Sequence, residues 1–177
     1  LATACDLAEH LLSQAKHEHN PDMLIRAHES AGSTYSFLGR FNEAKAHLLA
    51  AKSLYDPVRH RSQALPYAQD PGITARVMLA RALWILGEVD QVEALSREAI
   101  GMARELEHPF TLAFTLTTVA WTYSTLRDTE QTLSLTEEAI ALSTKYSFEV
   151  PLAWATSLQG WALAEKGEEQ GLGRLVK

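Results

Sequence analysis

The 177-residue chain contains a single cysteine, Cys5, so no disulfide bond can form within it. Glycine and proline are scarce, at nine and six residues, and they fall between segments of helical periodicity. No apolar run approaches the roughly 18 residues of a membrane span, and no apolar stretch follows a charged segment as in a signal peptide. We therefore expect a cytoplasmic protein made of helices, with no membrane partner.

An excess of positive charge is also missing. Lysine and arginine total 16 against 22 aspartates and glutamates, which gives a formal net charge of −6, and the acids are spread along the chain. Because nucleic-acid binding needs a basic face, we expect no nucleic-acid partner. Apolar residues make up 46% of the chain, which is enough for a sizeable core.

The chain lacks the motifs of known catalytic sites. No glycine-rich segment leads into the Gly-Lys-Ser/Thr of a P-loop, and no strained nucleophile turn is recognisable. The amino-terminal part holds four histidines: His10, His17, His19 and His28. They do not share the i, i+3 or i+4 spacing of a metal site on one helix, and no cysteine or carboxylate pair completes a set. We predict that the chain is not an enzyme and has no metal and no cofactor.

What the chain does contain is an internal repeat. Gly87, Arg127 and Gly167 follow one another at equal spacing, and the same alignment places Trp121 over Trp161. Self-similarity at such a period, about 40 residues, indicates one pair of helices that is copied along the chain and stacked. Each copy would bury its apolar face against its neighbours.

The first copy turns at Gly39, which lies further before Gly87 than the spacing of the later turns predicts. Small Gly32, aromatic Tyr35, the turn glycine and Ala44 follow one another at the spacing of the tetratricopeptide repeat (TPR), which this segment resembles. The resemblance implies an all-α fold, a right-handed α-solenoid of TPR-like helix hairpins. Its period of about 40 residues exceeds the roughly 34 of that family. Glycine at the turn favours a left-handed helix cap.

We expect a single TPR-like repeat domain over residues 1–177, taken from a larger protein. Its predicted parts are the second helix of a truncated repeat (1–18), repeat 1 (22–55), an insertion loop (56–71), repeat 2 (72–106), repeat 3 (109–146) and a truncated repeat 4 (149–177).

The insertion carries the densest positive charge of the chain, at Arg59, His60 and Arg61. These residues are candidate contacts for an anion or for the carboxylates of a partner. The structural alternative is that they pair with nearby acids while the loop caps the hairpin. At the end of the insertion, Asp70-Pro71 is typical of a helix N-cap followed by proline in the first helical position.

A narrower resemblance rests on residues 55 to 87. Its characteristic segments are Tyr55-Asp56-Pro57, His60-Arg61, Tyr67, Asp70-Pro71-Gly72, Ala82-Leu83-Trp84 and Leu86-Gly87, with Gly160-Trp161-Ala162 further on. They resemble the carboxy-terminal helical-repeat region of bacterial multidomain proteins. In that family an adenylate or guanylate cyclase domain, or a protein kinase domain, precedes a P-loop ATPase domain and then the repeat array. The resemblance implies bacterial signal transduction.

The first helix of each hairpin lines the concave face in TPR arrays. The equivalent positions predict a partner-binding face with Arg26, Glu29, Phe37, Arg81, Trp84, Phe114, Trp121, Trp154 and Trp161. Aromatic residues and arginine are frequent anchors of peptide and protein recognition. The alternative is that the longer helices bury the tryptophans between repeats.

We therefore predict a non-catalytic scaffold for protein–protein interaction or for regulation within its own chain, acting on a linked nucleotide cyclase or ATPase. Its partner would be a protein, a peptide or another domain of the same chain. Two alternatives remain: a small-molecule or anion sensor that uses the concave face and the 55–72 loop, and a self-assembly module that forms a homo-oligomer.

Overall fold

The computed structural model describes residues 2–60 and 69–168, and all regular structure in these ranges is helical. The helices are α1 (Ala2–His17), α2 (Pro21–Phe37), α3 (Phe41–Leu54), α4 (Pro57–His60), α5 (Pro71–Ile85), α6 (Val92–Glu105), α7 (Pro109–Thr125), α8 (Thr129–Tyr146) and α9 (Glu149–Glu165), with a 3₁₀ turn at Val89–Gln91 before α6. The predicted all-α, helical-repeat fold class is confirmed. In the same ranges no helix is long and apolar enough to cross a membrane.

The helix starts follow from local sequence. Pro21, Pro71 and Pro109 begin α2, α5 and α7, where the missing proline N–H costs no hydrogen bond. The side chains of Asn20 and Asp70 each accept hydrogen bonds from two backbone amides of the following first turn. The predicted cap at Asp70-Pro71 is therefore confirmed. The end of the predicted repeat 4, residues 169–177, lies outside the described residues.

The turns between helices recur at equal spacing on either side of the insertion. Each has one residue in the left-handed region of backbone space, with φ between 51° and 79°: His19, Gly39, Gly87, Glu107, Arg127, Ser147 and Gly167. The chain reverses there through a backbone bond that closes the helix end, such as the Asp128 N–H that donates to the Tyr123 carbonyl at 3.0 Å. Each sequence repeat thus contains two structural units of equal length, and each unit is a helix and its turn.

The chain divides into two compact units, Leu1–Met102 and Ala103–Lys177. In the first unit α2 packs against α1 and α3, and α5 packs against both α2 and α3. The core is aliphatic and contains fully buried Ile25, Leu48 and Leu79. A Cβ at Gly32 would lie 2.5 Å from Leu48 Cγ, so glycine is what lets α2 and α3 approach this closely.

In the second unit α7, α8 and α9 all contact one another. Its core contains fully buried threonines, including Thr117 and Thr136, beside Leu116 and Val119. The Thr117 and Thr136 hydroxyls each donate to the carbonyl four residues earlier in the same helix, both at 2.8 Å. These local bonds satisfy the buried hydroxyls without a partner on another helix.

Candidate protein-binding surface

Helices α7 and α9 bring four aromatic side chains of the second unit into a connected row. The Phe110 and Phe114 ring centroids lie 6.3 Å apart along α7. Trp154 on α9 joins them, with its ring 6.1 Å from Phe114 and 6.4 Å from Trp121. These separations are within the range of favourable aromatic pairs. The row therefore continues from one first helix to the next.

Two more rings extend this row at the α8–α9 turn. Phe148 packs edge-on against Phe110 at 5.2 Å and stacks on Tyr146 at 5.6 Å. We call the six residues together the aromatic surface: Phe110, Phe114, Trp121, Tyr146, Phe148 and Trp154.

The aromatic surface is partly open to solvent. Trp154 is 46% exposed and Tyr146 is 43% exposed, while Trp121 is half-buried. Val150, one turn before Trp154 on α9, is 57% exposed and widens the apolar area. Trp161, two turns beyond Trp154, is half-buried. None of the three tryptophans of this unit is thus fully buried, and Trp121 and Trp154 contact each other, which lies between the two alternatives drawn from the sequence.

Charge is absent from most of the length of α7 and α9, which carry four of the six rings, whereas Lys145 on α8 lies against the Tyr146 ring, with Nζ 5.2 Å from its centroid. The 17 residues of α7 include no lysine, arginine, aspartate or glutamate, and α9 has only Glu149 and Glu165 at its ends. Helix α8, by contrast, carries Glu130, Lys145 and further acids. The first helices of the second unit therefore present an uncharged, aromatic face.

In the first unit the structure joins two of the predicted face residues, Phe37 and Arg81. Phe37 is 68% exposed, and the Arg81 guanidinium carbon lies 5.7 Å from its ring centroid. Burial lowers the pKa of Arg81. Trp84 is half-buried and packs against the core of this unit, so it combines a structural role with partial exposure.

The remaining two predicted face residues, Arg26 and Glu29, lie on α2. Burial raises the pKa of the Glu29 carboxyl, and a hydrogen bond from the Ser33 hydroxyl at 3.0 Å together with the charge of Arg26 opposes that rise. Glu29 is thus a half-buried carboxylate with partners on its own helix. Its acceptors are partly occupied before any ligand arrives.

The predicted basic cluster is only partly described. Arg59 forms a two-point ion pair with Asp22, with Nε 2.7 Å from Oδ1 and Nη2 3.1 Å from Oδ2. The His60 backbone ends α4, and Arg61 lies outside the described residues. Because a carboxylate of the same chain already pairs with Arg59, the structural alternative is favoured for that residue.

A polar cluster that the sequence did not reveal closes the base of the insertion. The Tyr55 hydroxyl donates to Asp70 Oδ2 at 3.0 Å, and Arg76 Nη1 donates to the Gly72 carbonyl at 2.9 Å. The Arg76 guanidinium also lies over the Tyr55 ring, 5.4 Å from its centroid, and pairs with Glu98 at 2.8 Å. Tyr55 lies directly before the insertion and Asp70 lies near its end, and helical periodicity does not predict a contact between them.

A second polar group links α2 and α3 in the first unit. His28 Nδ1 and His47 Nδ1 lie 3.1 Å apart, so one imidazole donates to the other. The Tyr35 ring packs on His47 at 5.4 Å, and its hydroxyl donates to Glu9 at 3.2 Å. Across residues 2–60 and 69–168, no three histidine, cysteine, aspartate or glutamate side chains are placed to hold a metal ion.

Comparisons with known proteins agree on the repeat class. Residues 25–56 match the family described as tetratricopeptide repeat. A search of curated proteins by sequence gave no match. The fold resembles the crystal structure of BtubC (BKLC) from P. vanneervenii, with a TM-score of 0.69 over 89% of this chain at 18% sequence identity. The chain spans 62% of that protein. The chain therefore contains a TPR-like helical-repeat region.

Proposed function

We propose that this chain is a non-catalytic protein-binding scaffold whose partner docks on the aromatic surface of α7 and α9. TPR repeats generally mediate protein–protein interaction, which fits such a scaffold. The observation that carries the proposal is the row of rings around half-exposed Trp154, with contacts of 6.1 and 6.4 Å to its neighbours on α7.

The energetics favour this surface as an anchor. Tryptophan and tyrosine are enriched among the residues that dominate binding, because they bury a large area at a small cost in side-chain entropy. Contact with their neighbours already restricts the rings of Trp121 and Trp154, so a partner would order them further at little cost. A partner that covers Trp154 would remove its exposed area from water.

The experiment is site-specific photocrosslinking. Benzoylphenylalanine at Val150, which is exposed and one turn from Trp154, would capture the partner in cells that express the natural protein. The purified partner should bind the Trp154→Ala variant at least about tenfold more weakly, as for an interface anchor. The matched control is Leu7→Ala, an exposed apolar residue on α1. Equal affinity for parent and Trp154→Ala would overturn the proposal.

We extend the proposal to regulation of a linked signalling module. The support is the resemblance of residues 55 to 87, with Tyr55-Asp56-Pro57 and Asp70-Pro71-Gly72, to the repeat region that follows a cyclase and an ATPase domain. The coding sequence on either side of this chain tests the extension. A gene that encodes neither a cyclase, a kinase nor an ATPase domain would contradict it and leave the binding proposal standing.

A further inference from the structure

We infer that the partner segment of the aromatic surface is an amphipathic α-helix with an uncharged apolar stripe. This inference rests on the proposed function and specifies the chemistry of the partner. It depends on three properties of α7 and α9: their lack of charge, the use of their hydroxyl groups, and the length of the aromatic row.

The lack of charge along α7 and the centre of α9 favours a partner whose contact residues are uncharged. No charged side chain occurs in α7, and those of α9 lie only at its ends. An acidic or basic side chain of the partner that docked on the centre of the surface would lose hydration and find no opposite charge. The contact residues of the partner are therefore apolar or aromatic.

The hydroxyl groups around the rings are already used within their own helices. Thr118 donates to the Phe114 carbonyl at 2.8 Å, Ser124 donates to the Trp121 carbonyl at 2.7 Å, and Ser157 donates to the Ala153 carbonyl at 3.0 Å. These side chains have no second proton to donate. Among the six rings, only Trp121, Trp154 and Tyr146 carry a donor group, so the rings offer a partner's carbonyl groups at most three donors.

That shortage distinguishes a helix from an extended segment. A strand-like peptide laid on this surface would bury backbone amide and carbonyl groups that need partners, and each unpaired group is costly. An α-helix satisfies these groups internally and presents only side chains. Docking of a helix in a groove through residues at i, i+3 or i+4 and i+7 is an established mode of recognition.

The length of the row sets the size of the helix. From Phe110 to Trp121 the row covers about three turns of α7, or about 16 Å at a rise of about 1.5 Å per residue. A partner helix that covers this length presents a similar number of turns, with three or four apolar anchors on one face. Trp154 widens the contact to a second helix, so the anchors meet a surface two helices across.

The test is selection of peptides from a random display library on the purified chain, with peptides of about 16 residues so that a helix can cover the row. Peptides are selected for binding to the parent alone, and their affinities are then measured for the parent and for the Val150→Glu variant, which places a charge one turn from Trp154. The matched control is Leu7→Glu, which adds the same charge at a 65% exposed apolar residue of α1. Circular dichroism of both variants checks that they remain folded.

The inference predicts peptides with apolar residues at i, i+3 or i+4 and i+7 that become helical on binding. Their affinity should change less than about twofold between about 50 and 500 mM NaCl, because no ion pair forms. Proline in the middle of the peptide should abolish binding. Val150→Glu should weaken binding at least about tenfold, whereas Leu7→Glu should not.

Other outcomes overturn the inference in distinguishable ways. Some peptides could require Trp154 for binding and yet carry charged contact residues, tolerate the central proline or bind in an extended conformation. Such peptides would exclude a helical partner but would leave the proposed binding surface standing. Peptides that bind Val150→Glu as well as the parent would exclude both. A concentration-dependent dimer that Val150→Glu abolishes would make a second copy of the chain the occupant and would equally overturn the inference.

Discussion

At the scale of single residues, Gly72 shows how closely the base of the insertion is packed. A Cβ at this position would overlap the Tyr55 ring, and the hydrogen bond from Tyr55 to Asp70 keeps that ring in place. We expect Gly72→Ala to lower the free energy of unfolding by about 1–3 kcal/mol through overpacking. Urea denaturation followed by circular dichroism measures the change.

Gly101 is the matched control for this substitution. It lies in helix α6, and a Cβ there would have no heavy atom within 4 Å. Gly101→Ala should therefore stabilise the chain by about 0.5–1 kcal/mol, as for an open helical position. If Gly72→Ala were also stabilising, the close packing of Tyr55 on α5 would be wrong. Adding Tyr55→Ala should relieve part of the Gly72→Ala loss.

The His28–His47 contact makes stability depend on pH. Burial lowers the pKa of both imidazoles, with the charge of His47 as a further cause at His28 and the charge of Lys16 at both. The unfolded chain then binds more protons than the folded chain just below the ordinary histidine pKa of about 6.5. The free energy of unfolding should therefore fall as the pH is lowered from about 7.5 through 6.5.

Comparison of the parent with a His28→Gln/His47→Gln variant isolates this effect. Glu29 changes the free energy of unfolding in the opposite direction on acidification, because burial raises its pKa and the folded chain therefore holds its proton more tightly. This contribution is the same in both proteins. Denaturation between about pH 5.5 and 7.5 should give a shallower decline on acidification in the variant. Parallel curves for the two proteins would contradict the assignment.

At the scale of elements, each turn has one residue in the left-handed conformation, and the type of that residue determines how much conformational free energy the turn costs. Arg127 adopts a φ of 58°, where Gly87 and Gly167 occupy the equivalent turns before and after it. The left-handed conformation costs a non-glycine residue about 1 kcal/mol or more. Its ion pair with Glu165 is exposed and contributes at most about 1 kcal/mol.

We expect Arg127→Gly to be more stable than Arg127→Ala by about 1 kcal/mol, because both variants remove the ion pair with Glu165 but only glycine relieves the backbone strain. Thermal and urea denaturation of the two variants measure the difference. Gly87→Ala is the reciprocal control, since a Cβ there meets nothing within 4 Å and only the φ of 79° opposes it. Equal stability of the two Arg127 variants would show that the turn carries no strain.

The local elements were largely predictable from the sequence, because their signals are local. Proline and aspartate at Asp70-Pro71 mark a helix start, and the alignment of Arg127 with two glycines marks a turn. The sequence did not indicate the left-handed conformation of Glu107 and Ser147, which lie halfway between the predicted turns, because neither position has a glycine. Their existence follows only from the backbone.

At the scale of the whole molecule, the candidate surface was only partly predictable. Assigning first helices to one face identified Phe114, Trp121 and Trp154, because residues at the same repeat position share a face. It missed Phe110, which lies one turn before Phe114 on α7. It also missed Phe148 and Tyr146, which lie at a turn where repeat position does not define a face. The Tyr55–Asp70 contact was missed because it joins the two ends of the insertion, where helical periodicity does not apply.

The distribution of charge supports one surface as the main binding site. Helices α2 and α5 of the first unit carry Arg26, Glu29, Arg76 and Arg81, whereas α7 has no charged residue. More than half of the residues of α7 are buried, which accounts for the lack of charge on its inner side. The rings that remain partly exposed, above all Trp154 on α9, are the basis of the binding surface that we propose.

Magnetic resonance of the four tryptophan indole N–H groups tests whether a partner binds at the aromatic surface. The chain is labelled with ¹⁵N-tryptophan and titrated with the partner captured at position 150. If the partner binds the aromatic surface, the Trp121 and Trp154 signals shift or broaden on binding, while the Trp84 signal does not move. Saturating partner that shifts only Trp84, or that leaves the Trp121 and Trp154 signals unchanged, would contradict it.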